Sequence, residues 1–134
     1  MGNRAVIAFD NVNQNSIGIY LHWNGGADSI DAFLMAARHL SSGDPQANRA
    51  RLIQVIGTFF NGGYSVYVDR VKNLDTDNYD NGTYIVDSET LQITGRKFNR
   101  NPEQRVYDSK EMAWEIIEKV KIAYAHEKEE ATCE

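Results

Sequence analysis

The chain has 134 residues, 42% of them hydrophobic and 25% charged, with a formal net charge of -5. That length supports one packed domain and is too short for two. The negative balance argues against wrapping duplex nucleic acid, which needs a basic face, and no apolar run approaches the ~20 residues of a membrane span.

The first residues lack the basic-then-apolar layout of an export signal. Gly2 invites a myristoylation reading, but Val6 stands where that pattern wants Ser or Thr. The single cysteine, Cys133, lies in the acidic run EKEEATCE and has no partner for an internal disulfide. A reducing cytoplasm fits these features, and there the Asn81-Gly82-Thr83 sequon reads as a turn.

In chain order, RAVIAF (Arg4 to Phe9) reads as a buried strand and SIGIYLHW as a second, joined by the polar turn DNVNQN into a hairpin. Asn24-Gly25-Gly26 ends the second strand. Asp28 then caps a helix, SIDAFLMAARHL, whose Ile30, Phe33, Leu34 and Ala37 share one face. Asp44 and Pro45 open a second helix running to about Phe60, with Leu52, Ile53, Ile56, Phe59 and Phe60 apolar. YSVYV is a third strand. RVKNLDTDNYDNG is polar and long for a hairpin loop, so it is expected to protrude. TYIVD and LQITGRKF follow as strands. Asp108, with Glu111 three residues on, makes a capping box for a last helix. That helix has Met112, Ile116, Val120 and Ala123 on its apolar stripe, with Ala113, Ile117 and Tyr124 beside it. The expected fold is a single α+β domain over residues 1–126 with an acidic flexible tail at 127–134. Its elements run ββααβββα, five strands in a mostly antiparallel sheet and three helices on one face, the other face wet or covered by a second subunit.

Three stretches are candidate sites. The YLHWNGGADS junction brings backbone N–H groups to one point, which suits an anion. It is equally a plain chain reversal, and the Asp28 carboxylate would compete with a phosphate there. GRKFNRNPEQR sets Arg96, Lys97, Arg100 and Arg105 against the single Glu103. Such arginines bind phosphate oxygens bidentately, with Phe98 or Tyr107 available to stack on a base, or they form a solvated loop paired with carboxylates. Arg105, beside the last helix, is the best single candidate. LDTDNYDNG clusters Asp75, Asp77 and Asp80 but breaks the calcium-loop pattern at Tyr79 and Asp80, so it reads as a polar loop with an exposed Tyr79. His22, His39 and His126 lack metal-ligand spacing and no nucleophile motif occurs, so no enzyme, metal or cofactor is expected.

The runs NRAVIAF, IGIYLHWNGGADSIDAFL, VIGTFFNGG and NLDTDNYDNGTYIV resemble a family of small phage and prophage proteins of Gram-positive bacteria, among them the first type of Thoeris anti-defence protein. The likeness covers most of the chain, with YLHWNGG its distinctive motif. It implies a phage-encoded sponge acting in the host cytoplasm, which binds a cyclic ADP-ribose isomer without cleaving it. Some members also capture cyclic trinucleotides at separate sites. It further implies a homo-oligomer with ligand sites between subunits. By that resemblance Arg105 meets the phosphates, Tyr79 and Trp23 offer aromatic faces, and His22, Asn24, Gly25 and Gly26 shape a pocket wall. The family pattern has a basic residue after the Gly-Gly pair where this chain has Ala27, which shifts the expected charge to the arginines before the last helix. The rival readings are an acidic protein-binding inhibitor and a nucleotide-cleaving enzyme.

Overall fold

AVIAF is apolar at every position, the pattern of a strand buried on both faces. The computed structural model describes residues 3–100 and 106–133, those from 126 on by backbone alone. In it β1 (Ala5–Phe9) is the central strand of a five-stranded sheet and every one of its residues is buried. β2 (Ile17–Leu21) pairs with it antiparallel as the expected hairpin, Ala5 opposite Leu21 and Ala8 opposite Gly18. β3 (Val66–Arg70) lies antiparallel on the outer side of β2. β4 (Thr83–Val86) and β5 (Ile93–Lys97) form the other half, in the order β3-β2-β1-β4-β5.

The element order is as expected, but the sheet is mixed, because β4 runs parallel to β1, Ile7 opposite Tyr84. The expectation of a mostly antiparallel sheet assumed that neighbours in sequence pair. β3 and β4 do not. Residues 71–82 carry the chain across the sheet from beyond β2 to beyond β1, and a crossover of about a dozen residues is what a parallel pairing requires. This segment therefore packs rather than protrudes. Val71, Asn78, Asp80 and Asn81 are buried. A Cβ on Gly18 would stand 2.9 Å from Leu74 Cδ1 and 3.2 Å from Val71 Cγ2, so the crossover lies directly on β2 where that residue has no side chain. Val6, Ala8 and Gly18 thus lie on a face covered in part by the chain's own crossover.

The helices take the other face. α1 (Ala27–Leu40), α2 (Pro45–Phe59) and α3 (Ser109–Cys133) pack on one another. Ile30, Phe33, Leu34, Leu52, Ile56, Ile116 and Val120 close the core over Ile7, Ile19 and Tyr84. Asp44 caps α2 as expected, accepting the Ala47 N–H at 3.0 Å. Buried Asn48 ties that helix to the turn after β4, its amide donating to the Ser88 carbonyl at 2.8 Å. Asp108 accepts the Lys110 and Glu111 N–H groups at the start of α3. Ala123 and Tyr124, expected beside the core, are exposed, because they line open grooves between α3 and α2 rather than the closed core. The 127–134 segment falls on the part of α3 described by backbone alone and on residue 134, which lies outside the described residues.

Candidate functional site

The crossover and the end of β5 enclose a groove on the face away from the helices. Its volume is ≈ 300 Å³, at the small end of the range for ligand pockets, and it is lined by Val12, Gln14, Val71, Lys72, Leu74, Thr76, Lys97 and Phe98. Three separate stretches build it: the β1–β2 turn, the crossover and the β5 exit. Among the described residues neither lysine is in an ion pair, although Lys72 lends positive potential to Asp69. Val71 and Leu74 supply apolar lining, and Phe98 is held at φ 58° with its ring half-exposed. Two ammonium groups beside an apolar surface can take an anionic oxygen and a flat ring together.

A second cluster surrounds the 77–82 turn. Arg100 donates to both carboxylate oxygens of Asp77, at 2.8 and 2.7 Å, and its guanidinium stands 5.2 Å from the Tyr79 ring centroid. That hydrogen-bonded pairing holds the Asp77 carboxyl below its usual range. Tyr79 itself is 71% exposed at φ 63°, a strained conformation for an aromatic residue. Its neighbours pin the turn. Asn78 donates to the carbonyls of Asp75 and Gly82, and its Oδ1 accepts the N–H groups of Asp80 and Gly82. Asp80 accepts from the Arg4 Nε at 2.7 Å. Burial pushes the Asp80 carboxyl up, but its hydrogen bonds to Arg4 outweigh this and leave it lowered. Arg96 lies 3.8 Å above the Tyr84 ring and donates to the Asn81 carbonyl. Arg96 and Arg100 are thus already engaged by the fold, and of this stretch's described basic residues Lys97 lines the groove. Arg105 lies outside the described residues.

The strand-to-helix junction is tied to distant parts of the chain. The cap of α1 is Gly26, not Asp28, and the helix starts at Ala27. Asp28 is buried, and its carboxylate accepts the N–H groups of Val106 at 2.8 Å and Tyr107 at 2.9 Å as well as that of Ser29. It clasps the segment leading into α3. A Cβ on Gly25 would lie 2.6 Å from the Asn3 carbonyl oxygen, so glycine is needed for the backbone to pass there. The Gly25 carbonyl accepts from the buried Tyr84 hydroxyl at 2.7 Å. Gly25, Ala27, Asp28 and Ser29 are buried, while His22, Trp23, Asn24 and Gly26 keep part of their surface exposed.

The remaining candidates separate. His22 Nδ1 lies 2.9 Å from the Tyr20 hydroxyl and its ring meets half-exposed Trp23 edge-on, while Tyr20 stacks on Tyr67. Burial raises the Tyr20 phenol. Asn24 and Tyr107 converge on a different groove, ≈ 470 Å³, whose wall carries Asp108, Glu111 and Glu115, the wrong sign for phosphate. Among the described residues no group of three or more His, Cys, Asp or Glu side chains is placed to hold a metal ion, and no helix is long and apolar enough to cross a membrane. Sequence reasoning missed Lys72, Thr76 and Gln14, because only the crossover's path sets them beside Lys97. Searches against protein-family models, curated proteins and solved structures return no significant match for this chain.

Proposed function

We propose that this protein binds a small cyclic nucleotide of the cyclic ADP-ribose isomer class and holds it uncleaved, as a phage sponge for an immune signal. The observation that carries the reading is the crossover groove, where Lys72 and Lys97 stand beside Val71, Leu74 and Phe98. Lysines free of ion pairs among the described residues supply attraction for phosphate, and the apolar lining suits a base. Capture needs no reacting group. The homo-oligomer that the family likeness implies is supported by the open edge of β3, which presents exposed Tyr67 and Val68. A second reading, an acidic module that binds a basic protein, is favoured by the wall of Asp108, Glu111 and Glu115. Raised salt would weaken such a complex.

The test is depletion. Protein in excess is mixed with a cyclic ADP-ribose isomer, free ligand is measured after ultrafiltration, and the protein is then heat-denatured. Depletion followed by release of intact ligand is expected. Lys72→Ala and Lys97→Ala should each weaken binding by about tenfold or more, the worth of one charge-assisted hydrogen bond. Ligand that stays free, or returns cleaved, ends the sponge reading. Binding unchanged in both variants moves the site elsewhere.

A further inference from the structure

A second cavity lies on the helix side of the sheet, at the junction of all three helices. Its volume is ≈ 270 Å³ and its lining is Leu40 from α1, Arg51 and Gln54 from α2, and Val120, Lys121 and Tyr124 from α3. Arg51 is half-buried. One terminal nitrogen donates to the Gln54 side-chain oxygen, while its Nε is sealed from solvent without a hydrogen-bond partner. Among the described residues no carboxylate pairs with Arg51. A guanidinium cannot relieve burial by losing its proton, so only a partner can satisfy it. Lys121 adds a second charge. Its hold on Glu118 is loose, 3.9 Å between side chains 54% and 66% exposed, so it is free to swing toward a ligand.

We propose that this cavity binds a small anion carrying a carboxylate or phosphate on an apolar body. Arg51 and Lys121 take the anionic oxygens, a planar pair matching the guanidinium fork. Leu40, Val120 and the Tyr124 ring take the apolar part. The C-terminal end of α1, at Leu40, opposes an anion through its dipole, about half a unit charge against two full ones. The cavity is separate from the crossover groove, so its occupancy does not depend on the sponge reading.

The Arg51 Nε–H resonance of ¹⁵N-labelled protein reports on the site directly. Benzoate, phenyl phosphate, inorganic phosphate and uncharged benzamide are titrated in turn. Benzoate or phenyl phosphate is expected to shift that resonance saturably below ~10 mM, with Kd near the millimolar range, and benzamide is not. Benzoate alone identifies a carboxylate ligand and phenyl phosphate alone a phosphate. Arg51→Lys should weaken binding about tenfold, through loss of the bidentate fork. Lys121→Gln, a surface change that leaves the fold intact if the Arg51 variant does not fold, should weaken it by about threefold, as befits an exposed charge. Lys72→Ala should change nothing here. No shift with either aryl anion, an equal shift with benzamide, or full affinity in Lys121→Gln overturns the proposal, as does inorganic phosphate binding as tightly as phenyl phosphate.

Discussion

Replacing Asp28 by alanine removes the buried carboxylate that joins the start of α1 to the entry of α3. Two of the N–H groups it accepts, Val106 and Tyr107, come from nearly 80 positions away, while the third is that of its neighbour Ser29. A hydrogen bond to a charged acceptor is worth about 1.5–3 kcal/mol. The two long-range bonds do not simply add, because Val106 and Tyr107 are 78% and 53% exposed and water will rehydrate their N–H groups once the carboxylate is gone. The expected loss is therefore about 2–4 kcal/mol, against a total stability on the order of 5–15 kcal/mol. For a domain of this size that lowers Tm by roughly 8–15 °C. Asp28→Asn keeps a carbonyl acceptor and should lose about half as much. Urea unfolding followed by far-UV circular dichroism gives the free energy, and hydrogen exchange at the two amides locates it. A midpoint change worth less than ~0.5 kcal/mol, the range of an ordinary surface substitution, or unchanged protection at Val106 and Tyr107, would refute the clasp.

Gly25→Ala should destabilise by about 1–3 kcal/mol or more, because its Cβ must displace the Asn3–Arg4 backbone just ahead of β1 and the Ala5 Cβ; a Tm equal to that of the parent would mean the passage is looser than drawn. Acid should destabilise in a defined window. Asp80, Asp77, Asp69 and Asp44 all have lowered pKa values, so their ionised forms favour the folded state. That contribution is fully present above the unfolded carboxylate value of ~3.9 and is lost as pH falls through the lower folded values. Tm should hold steady near pH 5–6 and fall below about pH 4, and Asp80→Asn should show a shallower fall; an identical profile would remove Asp80 from the balance.

Local rules were readable where the chain satisfies them locally. Asp44 before Pro45 and Asp108 before α3 cap the helices they precede, because a cap needs only the next turn of backbone. Asp28 has the same residue type in the same setting, yet it serves a segment far along the chain, and no local pattern reports that. The parallel pairing was half visible. AVIAF lacks polar alternation, which marks a strand covered on both sides, and a glycine inside IGIYL marks a close approach. The cover itself was hidden in a polar segment whose inward-facing apolar residues, Val71 and Leu74, are too few to show a period. The basic stretch was legible as composition only. Arg100 and Arg96 turned out to be engaged with Asp77 and with the Tyr84 ring. Lys97 gains its meaning from Lys72, brought beside it by the crossover.

The β1–β4 pairing also sets a schedule for the ribosome. β1 emerges first and finds β2 within a few residues, but its other edge stays open until residues 83–86 have been made. At ~5–20 residues per second that is a wait of roughly 4–15 s. Throughout it an apolar strand presents unpaired backbone to any other chain nearby, the geometry from which intermolecular sheets grow. Yield in a cell should therefore depend on what shields AVIAF during synthesis, and a truncation ending before β4 should aggregate rather than remain as a smaller folded unit.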